Sequence, residues 1–318
     1  MKIFVTRPIP ESGIELLSQE HEVVVQPEQR VLGPDELKAL VKGADAILSM
    51  VTDKIDTEVL AAAGSRLKIV ANYAVGYDNI DLAAAKAANV LVTNTPQVLN
   101  EAVAEHTFAL AMTVCRRVVQ ADQFTRKGRY HGWDPKGFLG IELKGKTIGV
   151  IGLGRIGSRV GQIASSFGMS VVYNDVKPNL EFEGKLGAKF LSKQELLKTS
   201  DIVTLHVPLL ETTRHLISKP ELSIMKDTAV LINTSRGAVV DEAALIEALK
   251  SKKIFGAGLD VFENEPKLTA GLAELPNVVL TPHIASATHE AREAMSKLAA
   301  ENILAALEGR KPPNLVKG

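Results

Sequence analysis

A buried-strand pattern running directly into three spaced glycines and then a helical pattern constrains this chain most: "TIGVIGLGRIGSRVGQIASSFG", from Thr147 to Gly168. Gly152, Gly154 and Gly157 stand as G-x-G-x-x-G between strand and helix, the opening of a βαβ unit whose helix N-terminus meets a pyrophosphate. Gly152 permits the tight turn, Gly154 lets the phosphates approach the backbone, and Gly157 lets helix and strand pack closely. Eighteen residues past Gly157, the strand pattern "SVVYND" ends in Asp175. A carboxylate there accepts hydrogen bonds from a ribose and repels a 2'-phosphate, which favours NAD over NADP, although Arg155 and Lys177 are cations nearby.

A second phosphate pattern overlaps the first. Gly140, Gly145, Lys146 and Thr147 spell G-x-x-x-x-G-K-[ST]. A triphosphate loop needs a helix to begin at its Lys-Thr, because that helix N-terminus holds the anion. Here Lys146 and Thr147 lead into a strand instead, so the match is read as accidental.

The rest of the chain repeats strand and helix periods in turn, which predicts parallel sheets in an α/β fold. Strand patterns before residue 99 are "KIFV", "EVVV", "DAILSM", "LKIVA" and "VLVT"; later ones are "TIGVIGL", "SVVYND", "DIVTLHV", "AVLINT", "FGAGLDVF" and "VVLTP". Between the two sets, Val98 to about Gly128 reads as one long helix, free of Pro and of internal Gly. Ser192 three before Glu195, and Asp241 before "EAALIEALK", mark helix starts. A closing helix is expected over "THEAREAMSKLAAENILAALEG". A length of 318 residues also suggests two domains.

Charge excludes several partners. Lys plus Arg and Asp plus Glu both total 37, so no global field draws the chain to nucleic acid or an anionic membrane. No apolar run approaches a membrane span, the first residues do not read as a signal peptide, and the single Cys115 fits a reducing cytoplasm. Cys115 lies on an apolar face and reads as packing, and the histidines form no metal-binding spacing.

Three polar residues follow strand patterns where ligands of open α/β sheets gather: Arg236 in "NTSRGAVVD", Glu265 in "DVFENEP" and His283 in "TPHIAS". Reduction of a 2-oxo acid needs a cation to hold the carboxylate and polarise the carbonyl, and a proton donor. Arg supplies a bidentate fork and His a proton, while Glu265 beside the His would fix its tautomer and favour its charged form.

At these residues the chain resembles the D-isomer-specific 2-hydroxyacid dehydrogenases, over essentially its whole length, and among them the glyoxylate/hydroxypyruvate reductases. The resemblance rests on "NYAVGYDNID" (72–81), "EHTFAL" (105–110), "IGLGRIG" (151–157), "HVPL" (206–209), "NTSRG" (233–237), "GLDVFENEP" (258–266) and "TPHIASAT" (281–288). It implies two doubly wound parallel-sheet domains with a cleft between them: a flavodoxin-like substrate domain of residues 1–98 completed by 287–318, and a Rossmann NAD-binding domain of residues 99–286. It implies NADH-dependent reduction of a small 2-oxo acid, with Arg236 on the substrate carboxylate and carbonyl, His283 as acid/base and Glu265 as its partner. Backbone amides around Val75 and Gly76 would grip the carboxylate.

Cofactor contacts implied by the resemblance are Thr107, Gly152, Gly154, Arg155, Ile156, Gly157, Asp175, His206, Val207, Pro208, Thr234, Ser235, Arg236, Asp260, His283 and Ala285. Met50, Val51 and Trp133 would line or cap the substrate's far end, and the family's usual homodimer is expected. Formate dehydrogenases have Gln where Glu265 stands, because they need no proton; this chain keeps the carboxylate. Many relatives have Gly where Ala285 stands, a change expected to alter packing near the nicotinamide. Alternatives within the resemblance are D-lactate or 3-phosphoglycerate dehydrogenases, or a non-enzymatic NAD-sensing protein like the C-terminal-binding-protein corepressors. The regulatory tail common among phosphoglycerate relatives has no counterpart after the last helix.

Overall fold

A computed structural model describes residues 1–316 and divides them into two compact units. The first comprises residues 1–99 and the segment from Ser286 onward, the second Asn100–Ala285.

In the first unit, β1 (Lys2–Val5), α1 (Glu11–Ser18), β2 (Glu22–Val25), α2 (Pro34–Leu40), β3 (Ala46–Ser49), α3 (Thr57–Ala63), β4 (Ile69–Asn72), α4 (Leu82–Ala87) and β5 (Leu91–Thr93) alternate along the chain. The strands form a parallel sheet in the order β2-β1-β3-β4-β5, the flavodoxin-like winding. β3 and β4 are buried at every position, as strands covered by helices on both faces must be. Phe4, Ile47, Val70 and Val92 meet Leu37, Val41 and Leu60 in the core of one face.

The second unit contains α5 (Asn100–Cys115), α6 (Val118–Arg126), β6 (Thr147–Ile151), α7 (Arg155–Ser166), β7 (Ser170–Asn174), α8 (Leu180–Leu186), β8 (Lys189–Phe190), α9 (Lys193–Thr199), β9 (Ile202–Leu205), α10 (Lys219–Ile224), β10 (Val230–Asn233), α11 (Glu242–Lys250), β11 (Gly256–Leu259) and β12 (Val278–Leu280). Its seven parallel strands run β12-β11-β10-β9-β6-β7-β8, so the winding reverses between β6 and β9. Ligands of such sheets bind outside the carboxyl ends of the strands at that reversal. Two apolar layers cover its faces, one around Leu231 and Leu245, the other around Val150 and Phe108.

The last helix, α12 (His289–Leu307), belongs to the first unit, where it packs on α1 and across β3, β4 and β5. Gly13 makes the approach possible: a Cβ there would stand 2.3 Å from the Ser296 carbonyl oxygen. The Gly13 amide donates to Ser296 Oγ at 3.1 Å, and the Tyr73 hydroxyl donates to the Arg292 carbonyl at 2.6 Å.

The continuous helix expected over Val98 to Gly128 is corrected. It stops at Cys115 and restarts at Val118, with Arg117 in the left-handed region at φ 55°. The Cys115 carbonyl, which a longer helix would bond internally, instead accepts the Ile141 amide at 2.8 Å. Gly140 allows this crossing, since a Cβ there would stand 2.2 Å from that same oxygen. Arg117 then places its guanidinium over the Phe138 ring at 5.5 Å. β8 is an addition to the expected strands, and at two residues it carries no periodicity to read.

Capping matches the chemistry of the starts. Ser192 and Glu195 form a reciprocal capping box, and the Asp241 side chain accepts the Ala244 amide. Ser218 with Glu221 forms a second box that the sequence reading did not single out. Among the described residues no helix is long and apolar enough to cross a membrane, and no group of side chains could hold a metal ion.

Candidate active site

The glycine turn stands at the reversal point of the second sheet. Gly152, at φ 91°, packs against the strand-end loop of β9: a Cβ would stand 2.7 Å from the His206 carbonyl oxygen. The His206 amide in turn donates to the Ile151 carbonyl at 2.8 Å. A Cβ on Gly157 would stand 2.0 Å from the Gly152 carbonyl oxygen, so helix and turn touch through backbone alone. Gly154 is different, because nothing lies within 4 Å of the space its Cβ would fill. It caps α7 without a side chain, and no acidic residue occupies the first turn, so the helix N-terminus presents amides and a positive dipole to an anion. Arg155 is exposed and Ile156 half-buried in that turn.

These contacts separate two roles. Gly157→Ala is expected to destabilise the second unit by about 1 to 3 kcal/mol through unrelieved backbone overlap, and to weaken dinucleotide binding with it. Gly154→Ala should keep the unfolding midpoint and lose dinucleotide affinity alone. Thermal unfolding and cofactor titration of both variants check this, and equal melting losses would contradict it.

Asp175 follows β7 directly and lines a crevice of about 330 Å³ with Leu153, Lys177, Pro178, Asn179 and Leu180. Its Oδ2 accepts the Leu153 amide at 2.6 Å, so the carboxylate also buttresses the glycine turn. At Lys146 and Thr147 the chain enters β6 and no helix starts, which removes the triphosphate-loop alternative. His206 keeps Nε2 enclosed without a hydrogen-bond partner, and burial pushes the imidazole down to about 3, so the ring is neutral. Val207 is half-buried and Pro208 exposed in the same loop.

β10, β11 and β12 are neighbours, and each sends a loop from its carboxyl end. After β10, buried Asn233 shapes the turn: its Oδ1 accepts the Ser235 amide at 3.0 Å and its Nδ2 donates to the Arg236 carbonyl at 2.9 Å. Thr234 Oγ1 lies 3.0 Å from Thr107 Oγ1 on α5, which ties the turn to that helix. Arg236 Nη1 donates to the Ser235 carbonyl at 2.8 Å. Gly237 must follow, because a Cβ would stand 1.8 Å from the Phe262 carbonyl carbon in the next loop.

His283 Nδ1 is 2.9 Å from Glu265 Oε2, with both side chains about one-third exposed, at 32% and 28%. A carboxylate on Nδ1 orients the ring and leaves Nε2 for a ligand. Glu265 Oε1 accepts the Phe262 amide at 2.9 Å, which fixes the other half of the carboxylate. His283 adopts a left-handed backbone at φ 54°, a conformation costing an L residue about 1 to 2 kcal/mol.

Asp260 compels that conformation. It is fully buried and accepts the Thr281 hydroxyl at 2.6 Å and the Ile284 and Ala285 amides at 2.9 and 2.8 Å. Its backbone carbonyl takes the His283 amide at 2.9 Å. Burial would raise the Asp260 pKa, but the nearby His106 ring, the Thr281 hydroxyl and the two amides outweigh it and hold the group below the ordinary carboxylate range. His106 Nε2 lies 3.1 Å from Thr281 Oγ1 and 3.4 Å from Asp260 Oδ1. Since Thr281 gives its hydrogen to Asp260, His106 donates to Thr281. The sequence reading left His106 without a function, and only the fold brings it to this loop.

In the first unit, Met50 and Val51 follow β3, and Val75 and Gly76 follow β4. Asn79 Nδ2 donates to the Met50 and Asp53 carbonyls at 3.1 and 2.9 Å, and Asn72 Nδ2 donates to the Gly76 carbonyl at 2.8 Å. Asn94 Nδ2 donates to the Val75 carbonyl at 2.7 Å. With those carbonyls occupied, the polarity left to the 75–76 loop is that of its N–H groups, which suits an anion. Asp53 is buried and accepts the Thr6 hydroxyl and the Met50 amide, and nothing in its sequence surroundings marked it out. Trp133 lies in the second unit, 85% exposed, in a loop with exposed Tyr130 and Leu139. Cys115 is fully buried and its thiol is pushed up to about 11, consistent with packing.

The family model for the D-isomer specific 2-hydroxyacid dehydrogenase NAD binding domain matches residues 108–285. The chain is similar to a glyoxylate reductase of Thermococcus litoralis, 49% identical over 319 residues that cover 99% of this chain and 96% of that protein. Among solved structures it is similar to the TT0316 protein of Thermus thermophilus, 45% identical with a TM-score of 0.94 over the whole of both chains. An NADPH-dependent glyoxylate/hydroxypyruvate reductase of Sinorhizobium meliloti, solved with NADP and malonate, is 35% identical with a TM-score of 0.86, covering 99% of this chain and 96% of that one.

Proposed function

The chain belongs to the D-isomer specific 2-hydroxyacid dehydrogenases, and within that family we propose that it reduces a small 2-oxo acid, glyoxylate or hydroxypyruvate, with NADH. The observation that carries this reading is the His283–Glu265 pair, from the loops after β12 and β11, beside the loop after β10 that carries Arg236.

The nicotinamide cofactor of this family, when bound, supplies hydride to the carbonyl carbon. The uncapped start of α7, with Gly154, Arg155 and Ile156, suits its pyrophosphate, and Asp175 suits its adenosine ribose. The neighbouring backbone and side chains of His206, Val207, Pro208, Thr107, Thr234, Ser235, Asp260 and Ala285 are its further contacts in this reading. Arg236 binds the substrate carboxylate and polarises the carbonyl oxygen. His283 gives the proton from Nε2 as that oxygen gains charge, and Glu265 holds the ring by its Nδ1. Val75 and Gly76 supply amides to the carboxylate, and Met50, Val51 and Trp133 limit the size of the tail. The exposed apolar residues Val118, Val119, Tyr130, Trp133 and Leu139 support a homodimer formed through the second unit.

The choice of NADH over NADPH rests on Asp175. Asp175→Ser is expected to raise KM for NADH and to narrow the preference over NADPH by about tenfold or more, because the ribose acceptor and the charge opposing a 2'-phosphate are both lost. An unchanged cofactor ratio would sink that assignment. Lys177, in the same crevice, favours the opposite reading, and faster turnover with NADPH would establish it.

The test of the function is purified protein with glyoxylate, hydroxypyruvate, pyruvate or 3-phosphohydroxypyruvate, each with NADH and with NADPH. Oxidation of NADH fastest with the first two is the expected result. Cofactor binding without turnover on any of the four would point instead to an NAD-responsive binding protein.

A further inference from the structure

Glu242 is a carboxylate that the proposed chemistry does not use, yet it is 1% exposed at the first position of α11. A charge so buried persists only where hydrogen bonds replace its water. Helix capping does not account for it, because Asp241 already caps α11 by accepting the Ala244 amide at 3.0 Å. The partners of Glu242 come instead from the loop after β11. Its Oε1 accepts the Glu263 amide at 2.8 Å, and its Oε2 accepts the Thr269 hydroxyl. Glu263 returns the contact, with Oε2 3.4 Å from the Glu242 amide, and places Oε1 2.6 Å from His215 Nε2.

Residues 264–268 lie between those two anchors, and Glu265 is among them. An inner turn, Lys267 amide to Asn264 carbonyl at 2.9 Å, leaves this short segment little freedom of its own. On its other side the loop rests on Gly237, where no Cβ fits. The segment that presents Glu265 to His283 is therefore fastened on both sides by the two oxygens of Glu242, a side chain that meets neither of them.

We infer that Glu242 is a positioning residue for proton transfer, acting through the loop that carries Glu265. The inference rests on the reading of Glu265 as partner of His283. Reacting groups tolerate little misplacement, since a shift of about 1 Å can cost about a hundredfold in rate. Glutamine can replace the carboxylate by geometry, with its carbonyl accepting from Glu263 and its amide donating to the Thr269 hydroxyl. Alanine leaves both anchors loose.

The experiment compares Glu242→Ala, Glu242→Gln and Glu265→Gln in the full chain, measuring kcat and KM for glyoxylate, and the NADH dissociation constant by fluorescence. Glu242→Ala is expected to lower kcat about tenfold to a hundredfold while NADH affinity stays within about twofold, and Glu242→Gln to recover kcat to within about threefold of the parent. Unchanged kcat in Glu242→Ala, failure of Gln to rescue, or equal loss of NADH binding overturns the inference. Should Glu242→Ala not fold, Thr269→Val removes one anchor while keeping the side-chain shape, and a kcat loss of about threefold or more is expected, an unchanged kcat counting against. Glu265→Gln separates the two levels. If it lowers kcat and Glu242→Ala does not, only the role of Glu242 falls; if it has no effect, the partner role of Glu265 falls and takes this inference with it.

Discussion

Alanine at position 283 is expected to slow 2-oxo acid reduction by about 10² to 10⁴, the usual contribution of a positioned proton donor, while NADH still binds nearly as tightly as before. The asymmetry follows from the geometry. The imidazole is held through Nδ1 by Glu265, and its backbone is fixed by Asp260, whose two carboxylate oxygens take the Ile284 and Ala285 amides. Removing the ring leaves those loop contacts in place, because none of them uses the side chain. The glycine turn and Asp175 lie across the sheet at β6 and β7, so the groups proposed to hold the phosphates and ribose are untouched by the substitution. Single-turnover reduction and NADH fluorescence titration on the same preparation check the result. Equal damage to both quantities would contradict the role of proton donor.

The second large effect is expected at Arg236. Arg236→Ala should lower kcat by about 10² to 10³, as loss of a preorganised donor to a developing oxyanion does, and raise KM as well because the carboxylate loses its fork. Arg236→Lys should recover little, since an ammonium is a point charge without the planar pair of donors. Both substitutions remove the guanidinium's own bond to the Ser235 carbonyl, but the Asn233 contacts that shape the turn reach the Arg236 carbonyl and Ser235 and are kept, so the turn should largely survive. Steady-state kinetics with glyoxylate read the outcome, and an unchanged KM in the alanine variant would exclude the carboxylate clamp.

The parts of this site that were legible in the sequence are those whose meaning is local. A buried strand, three glycines and a helix in direct succession specify their own geometry, and the overlaps at Gly152 and Gly157 give the physical reason only glycine serves there. Arg236, Glu265 and His283 could be named because each follows a strand of a sheet whose ligand edge is known in advance. What could not be read depends on residues distant in the chain. The end of α5 is decided by Ile141, which takes the Cys115 carbonyl, and no glycine or proline at 116 or 117 announces it. His106 looked like one more helical residue until the fold brought Thr281 beside it. Glu242 reads as an ordinary first-turn acid, and its partners Glu263 and Thr269 lie beyond an intervening helix and strand.

The first unit is assembled from both ends of the polypeptide, and this dictates an order of events during synthesis. Its five strands leave the ribosome early, but α12, which lies across three of them and against α1, is translated only after the entire second unit. Until then an apolar sheet face and Gly13 stay uncovered, a state prone to association with other nascent chains. The nucleotide-binding half draws all its elements from one continuous stretch, whereas the other half must wait for its final helix.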